Sequence, residues 1–174
     1  MEEIATMPKI AELLLAELER EAAGTRRALE RVPEGRDDWK PHEKSMPLGY
    51  LATLVATIPS WAAAIVTQDQ LDLAAQGAFQ SPEVHTNREL LEVFDKSLAK
   101  AREALATATD EHLMTPWKLL VQGQVVMEVS RYVAIRDSAF NHLAHHRGQL
   151  TVYLRLNDVP VPSLYGPTAD EKGF

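Results

Sequence analysis

Two histidines four residues apart are the clearest chemical feature of the sequence. His142 and His146 lie within residues 141–150, which read NHLAHHRGQL. In an α-helix this spacing places both side chains on one face, about 40° apart around the axis. Two imidazoles placed in this way can share one divalent ion, at metal–nitrogen distances of about 2.0–2.1 Å. The spacing therefore predicts a metal site, and a hydrogen-bonded pair of interior histidines is the alternative.

The composition narrows the chemistry that such a site can perform. The 174 residues include no cysteine, which excludes disulfides, zinc–thiolate sites, iron–sulfur clusters and a cysteine nucleophile. The formal net charge of −7 argues against a face that binds a phosphate backbone, so we expect no nucleic-acid partner. A hydrophobic content of 45% is typical of a folded protein, and the length fits a single domain over residues 1–174.

The sequence does not favour a membrane protein. The most apolar stretch, residues 48–66, is interrupted by Gly49, Pro59 and Ser60, which makes it a poor bilayer span. The first four residues, MEEI, are acidic where a signal peptide would be basic. We therefore expect a cytoplasmic protein without a membrane partner.

Four segments have the apolar spacing of amphipathic helices. In chain order they cover residues 4–31, 45–65, 87–108 and about 130–157. Pro59 lies inside the second segment and predicts a kink, because proline removes a backbone donor and crowds the preceding turn. Asn87 is the predicted N-cap of the third helix. The fourth helix carries the histidine pair.

The segments between these helices lack a helical pattern. Residues 37–47 are polar and contain two prolines, which predicts a loop, while residues 114–129 are predicted to be extended or irregular. Residues 158–174 contain three prolines and two glycines, which predicts an irregular C-terminal tail. The predicted fold class is therefore all-α, a four-helix bundle with long crossover connections.

The histidine run and the residues after it resemble the DinB-like and YfiT-type superfamily. The block HLAHHRGQL is followed by LRL at residues 154–156 and by VPVPSLYG at residues 159–166, as in the last helix and tail of that group. WKPHEKSM at residues 39–46 and IPSW at residues 58–61 are similar to the start and body of its second helix. The resemblance covers nearly the whole chain.

The resemblance implies a four-helix bundle, usually a homodimer, with a central site of three histidines. It also implies that the chain is a metal-dependent hydrolase or a thiol-dependent transferase. His142 and His146 match the two ligands of the last helix. The third ligand normally lies in the second helix, in a pattern like LAxHVA, whereas residues 51–56 here read LATLVA. Leu54 therefore stands where the family has a histidine.

This leucine leaves two functions open, because an aliphatic side chain offers no lone pair to a metal. In the first, the chain is a hydrolase or small-thiol transferase whose Ni, Zn or Mn ion is held by His142, His146 and a substitute ligand. The residues considered as that substitute are Glu128, His42 and His112. In the second, the chain is a metal-free dimeric bundle that binds a small ligand or serves as a scaffold.

Other residues allow both a functional and a structural interpretation. Arg147 could hold an anionic substrate, although a surface arginine with its stem on apolar residues is the favoured interpretation. Gly148 would let a neighbouring helix or chain approach closely. Ser138 has no histidine and aspartate at a motif spacing, so no hydrolase triad is predicted. The tryptophans either line a pocket or, more commonly, serve as core or interface anchors: Trp39, Trp61 and Trp117.

Overall fold

The first predicted helix is present and buries its apolar face. The computed structural model of the protein describes residues 8–75 and 82–172. Helix α1 spans Ile10–Leu29 and turns Leu14, Leu18 and Ala22 into the core, as their spacing predicts. The predicted start at Ile4 lies outside the described residues.

Proline divides the second helical region, as predicted. Helix α2 spans Leu48–Thr57, helix α3 spans Pro59–Thr67, and the two are bent by 45° relative to each other. Pro59 has no N–H to donate, so the hydrogen-bond ladder of α2 cannot continue through it. Among the described residues, no single helix is long and apolar enough to cross a membrane. Helices α2 and α3 pass that test only as this bent pair.

The third predicted helix is also present, but its cap differs. Helix α4 spans Asn87–Thr107. The Thr86 hydroxyl accepts from the backbone N–H of Glu89 at 3.2 Å, and the Glu89 carboxylate accepts from the backbone N–H of Thr86 at 3.1 Å. This reciprocal pair makes Thr86 the N-cap, so the prediction of Asn87 was wrong. The Asn87 amide instead donates to the backbone carbonyl of Leu29 at 2.7 Å.

A small three-stranded sheet corrects the all-α prediction. Strand β1 (Gln70–Asp72) runs parallel to β2 (Pro116–Val121), and β2 pairs antiparallel with β3 (Gln124–Ser130). The Asp72 carboxylate accepts from the backbone N–H groups of the β2–β3 turn, including that of Gly123 at 2.7 Å. The hairpin falls in the segment predicted to be extended or irregular. The parallel pairing needs a crossover, which α4 provides, and no local pattern reveals such a partner.

The fourth predicted helix is helical but not uniformly α-helical. After the short helix α5 (Asp110–Leu113), helix α6 covers Arg131–Ile135, a π-helical segment covers Arg136–Asn141, and helix α7 covers His142–Leu156. The described part of the tail, residues 158–172, contains no helix or strand, as predicted. The chain is thus mostly helical with a small sheet, and the four-helix-bundle prediction is confirmed only in part.

The helices enclose one apolar core. Its fully buried side chains include Phe94 of α4, Leu51 of α2 and Leu150 of α7. Burying an aliphatic or aromatic side chain of this size contributes about 1.5–3 kcal/mol relative to leaving it exposed. Trp117 of β2 joins this core, which attaches the sheet to the helices.

Candidate functional site

The two candidate histidines meet on the first turns of α7. The Nε2 atoms of His142 and His146 lie 2.7 Å apart, and their ring centroids are separated by 4.5 Å. His146 is buried, with 8% of its surface exposed, and His142 is half-buried. The Trp61 ring of α3 packs edge-on against His142, with centroids 5.0 Å apart. The pair therefore faces the interior, as the periodicity of the helix predicts.

A π-helical segment ends immediately before this pair. Residues 136–141 wind with i→i+5 hydrogen bonds, which widen one helical turn. A π turn shifts the register of all later residues relative to the helix before it. Here Ser138 of the π segment and His142 of α7 end on the same cavity wall. Segments of this kind occur frequently at functional sites.

A third side chain is hydrogen-bonded to the pair. The Oε1 atom of Gln149 lies 2.7 Å from Nδ1 of His146. An amide oxygen can only accept, so Nδ1 of His146 donates to Gln149. The three side chains therefore form one continuous hydrogen-bonded row on the surface of α7.

The surroundings of both imidazoles lower their pKa. Burial lowers the pKa of His142 below its ordinary value, and the neighbouring His146 and His145 lower it further, while a hydrogen bond to the Ser138 backbone opposes the shift. Burial also lowers the pKa of His146, where the bond to Gln149 opposes the shift and His145 adds to it. Desolvation disfavours the charged imidazolium in each case.

The donors around the pair do not fit a three-ligand metal site. No group of three or more His, Asp or Glu side chains within residues 8–75 and 82–172 is placed to hold an ion. A dedicated site normally uses at least three protein ligands. Metal ligation by His142 and His146 stays a prediction.

None of the substitute ligands considered from the sequence joins this pair. Glu128 is exposed on β3 and faces Lys118, with 4.0 Å between the charged atoms. His42 is exposed in the loop before α2, where its Nδ1 accepts from the backbone N–H of Lys44 at 3.1 Å. His112 lies on α5, and its Nε2 is 2.8 Å from the backbone carbonyl oxygen of Val66.

A cavity of about 860 Å³ opens beside the pair, and His142 forms part of its wall. The cavity lies among α2, α3, α4, the sheet and the π-helical segment. Leu54 lines the same cavity, so the position where the family has its third histidine adds an apolar surface here. Further apolar lining residues are Ala64, Ile65, Leu71, Val93 and Leu119, and polar ones are Thr57, Ser60, Gln68, Ser97 and Ser138.

Two of the three tryptophans line this cavity. Trp61 is half-buried, and Trp117 is 2% exposed and also belongs to the core. Trp39 instead packs edge-on against Tyr153, with ring centroids 5.5 Å apart. Trp61 therefore lines the pocket, Trp39 packs against the core, and Trp117 does both.

Arg147 is not a surface residue, so the favoured interpretation from sequence was wrong. It is 1% exposed, and its guanidinium donates to the Glu21 carboxylate at 2.6 Å and to the Thr25 hydroxyl at 2.9 Å. The guanidinium also donates to the Tyr165 hydroxyl, which in turn donates to the Glu21 carboxylate at 2.5 Å. Arg147 thus joins α7, α1 and the tail. Nor does it line the cavity, so it is not placed to hold a substrate there.

Gly148 lies on the exposed side of α7. A Cβ built there would meet no atom within 4 Å, so no part of the described chain uses this glycine for a close approach. The predicted homodimer stays a prediction.

Sequence reasoning missed two lysines of the cavity. Lys96 and Lys100 of α4 both line it and both are exposed. Their i, i+4 spacing on one helical face was the available signal. That spacing is common on solvated helix faces, and only the cavity distinguishes this pair from others.

Solved DinB-like structures share this fold. A crystal structure of a DinB-like protein from Bacillus subtilis superposes with a TM-score of 0.68 at 19% identity, covering 87% of this chain and 97% of that one. A DinB-like protein from Bacillus cereus gives 0.64 at 19% identity over 87% and 95% of the two chains. A DinB family structure from Exiguobacterium sibiricum gives 0.65 at 18% identity over 91% and 98%.

The sequence comparisons define the family. No curated protein matches the chain. The DinB family profile matches residues 7–172, which is nearly the full length. This match agrees with the histidine block and the tail motif that first indicated the group. The chain belongs to the DinB family.

Proposed function

We propose that this DinB family protein binds a small organic molecule in the cavity beside His142, without a resident metal ion. The observation that carries the proposal is that Leu54 and His142 both line a cavity of about 860 Å³. Pockets for small molecules have volumes of roughly 300–1,000 Å³ and combine apolar walls with a few polar groups. The Trp61 and Trp117 rings supply the wide apolar surface that such a molecule needs.

The histidine row gives this cavity one polar, uncharged end. A neutral imidazole on the cavity wall avoids the desolvation cost of a buried cation. His142 is supported by His146, which is itself held by Gln149. Such support limits the rotation of the His142 ring, so the ligand would meet a preorganised partner.

One observation favours a second candidate, a metal-dependent hydrolysis or the transfer of a small thiol. The Nε2 atoms of His142 and His146 converge on one face of α7, and a small separation of the two rings would let both bind one ion. A bound ion would act as a Lewis acid or activate a bound water or thiol. Since the described donors do not reach three, we place this function second.

The first experiment measures binding of N-phenylnaphthylamine, an uncharged aromatic probe whose fluorescence rises in apolar surroundings. We expect wild-type protein to bind it and the Ala64→Trp variant, which fills the cavity from α3, to weaken binding at least about tenfold, because a cavity ligand loses its space. Ala16→Trp is the matched control, because Ala16 is exposed on α1 and outside the cavity.

Circular dichroism of all three proteins shows whether each variant folds. The proposal is wrong if folded wild type does not bind the probe, or if folded Ala64→Trp binds it as well as Ala16→Trp does. Binding that only Ala64→Trp loses supports the cavity as the site.

A further inference from the structure

The fully charged side chains that line the cavity in the described part of the chain are all cationic. The described residues that line it include Lys96 and Lys100 but no aspartate or glutamate. The whole chain has 25 acidic against 18 basic residues, so an acid-free surface of this size differs from the average surface of the protein. The two lysines stand one turn apart on α4, and both are exposed, which places them at the solvent side of the cavity.

The two lysines also have no carboxylate partner within residues 8–75 and 82–172. By contrast, Lys118 lies between two cavity-lining residues of β2 but faces Glu128 at 4.0 Å. Arg102, further along α4, donates to both carboxylate oxygens of Glu19, at 2.6 and 2.7 Å. The positive charge of Lys96 and Lys100 is therefore available to a ligand.

Extending the proposed function, on which it rests, we propose that the cavity selects small organic anions with an apolar body. The anionic group, a carboxylate or a sulfonate, lies between Lys96 and Lys100. The apolar body extends inward against Trp61 and Trp117. Helix α3 packs against both α4 and the π-helical segment, so the lysines and His142 lie on different walls. A ligand that reaches across meets cations at one end and the imidazole of His142 at the other.

The test compares two probes that share one aromatic body. Anilinonaphthalene sulfonate carries a sulfonate, and N-phenylnaphthylamine carries no charge. We expect the wild type to bind the sulfonate more tightly, by about fivefold at low ionic strength, since each exposed ion pair contributes only modestly. This advantage should shrink in salt, which screens exposed charges.

The variants locate the charge that gives this advantage. Lys96→Gln/Lys100→Gln should lose the preference for the sulfonate over the uncharged probe. Lys40→Gln/Lys44→Gln removes the same charge from the exposed loop before α2, outside the cavity, and should keep the preference. Ala64→Trp should weaken the binding of both probes if they occupy the cavity.

The outcomes separate the two proposals. If the uncharged probe binds but the sulfonate has no advantage, or keeps its advantage in Lys96→Gln/Lys100→Gln, the anion inference is overturned and the cavity function stands. If both double variants lose the preference for the sulfonate equally, the anion inference is also overturned, because net charge alone would then explain the preference. If neither probe binds folded wild-type protein, the proposed function itself fails.

Discussion

The buried guanidinium of Arg147 and the carboxylate of Glu21 form an ion pair, 2.6 Å long, that joins the histidine-bearing helix α7 to α1. Both side chains are nearly removed from water, with 2% and 13% of their surfaces exposed. The Tyr165 hydroxyl of the tail completes the cluster by donating to Glu21. The three side chains together connect α7, α1 and the C-terminal tail.

Replacing Arg147 by methionine should destabilise the protein by about 3–5 kcal/mol, because Glu21 keeps a buried charge without its partner. The free energy of unfolding from urea titration measures this loss. Arg102→Met is the matched control, since Arg102 and Glu19 form an exposed pair that is worth only about 0.2–1 kcal/mol. Equal losses in the two variants would contradict a structural role for the buried pair.

Replacing Leu54 by histidine should create a metal site. A third imidazole beside His142 and His146 would complete the three nitrogen ligands that hold about one zinc ion per chain. The metal content of dialysed protein after incubation with Zn, Ni or Mn measures this, and the wild type should retain far less. Leu54→Ala controls for the loss of the leucine. One ion per chain in the wild type would instead support the metal-dependent enzyme.

The tail should contribute stability that depends on pH. The Glu171 carboxylate accepts one hydrogen bond from the Ser163 backbone N–H and another from the Arg31 guanidinium. Both contacts lower the pKa of Glu171. Arg155 and a backbone bond from Val161 lower the pKa of Asp170. A carboxylate with a lowered pKa stabilises the fold above its unfolded pKa of about 4, and the effect is lost as the pH falls through the folded pKa.

The double variant Asp170→Asn/Glu171→Gln should therefore melt below wild type at pH 7, and the difference should close as the pH falls below about 4. Thermal unfolding followed by circular dichroism between pH 7 and pH 3 measures it. The control variant Glu30→Gln changes an exposed residue just after α1. Its melting temperature should stay close to that of the wild type at every pH in this range. A difference that is the same at both pH values would contradict the ionised contacts.

The local features were predictable because their causes lie within a few residues. The kink follows from the proline that starts α3, and the one-face placement of His142 and His146 follows from helical geometry. The N-cap was missed by one position because both Thr86 and Asn87 are good capping residues. Only the reciprocal bonds between Thr86 and Glu89 distinguish them.

The helices, the family and the histidine pair follow from patterns within short stretches of the chain, whereas contacts between distant segments set how these parts are used. Strand β1 has three residues and gains its identity only from pairing with β2, which lies beyond α4 in the chain. Arg147 is buried because Glu21, Thr25 and Tyr165 converge on it from distant segments. The cavity likewise depends on how α3, α4 and the sheet pack. Burial and charge pairing are properties of contacts between distant residues, which local spacing does not encode.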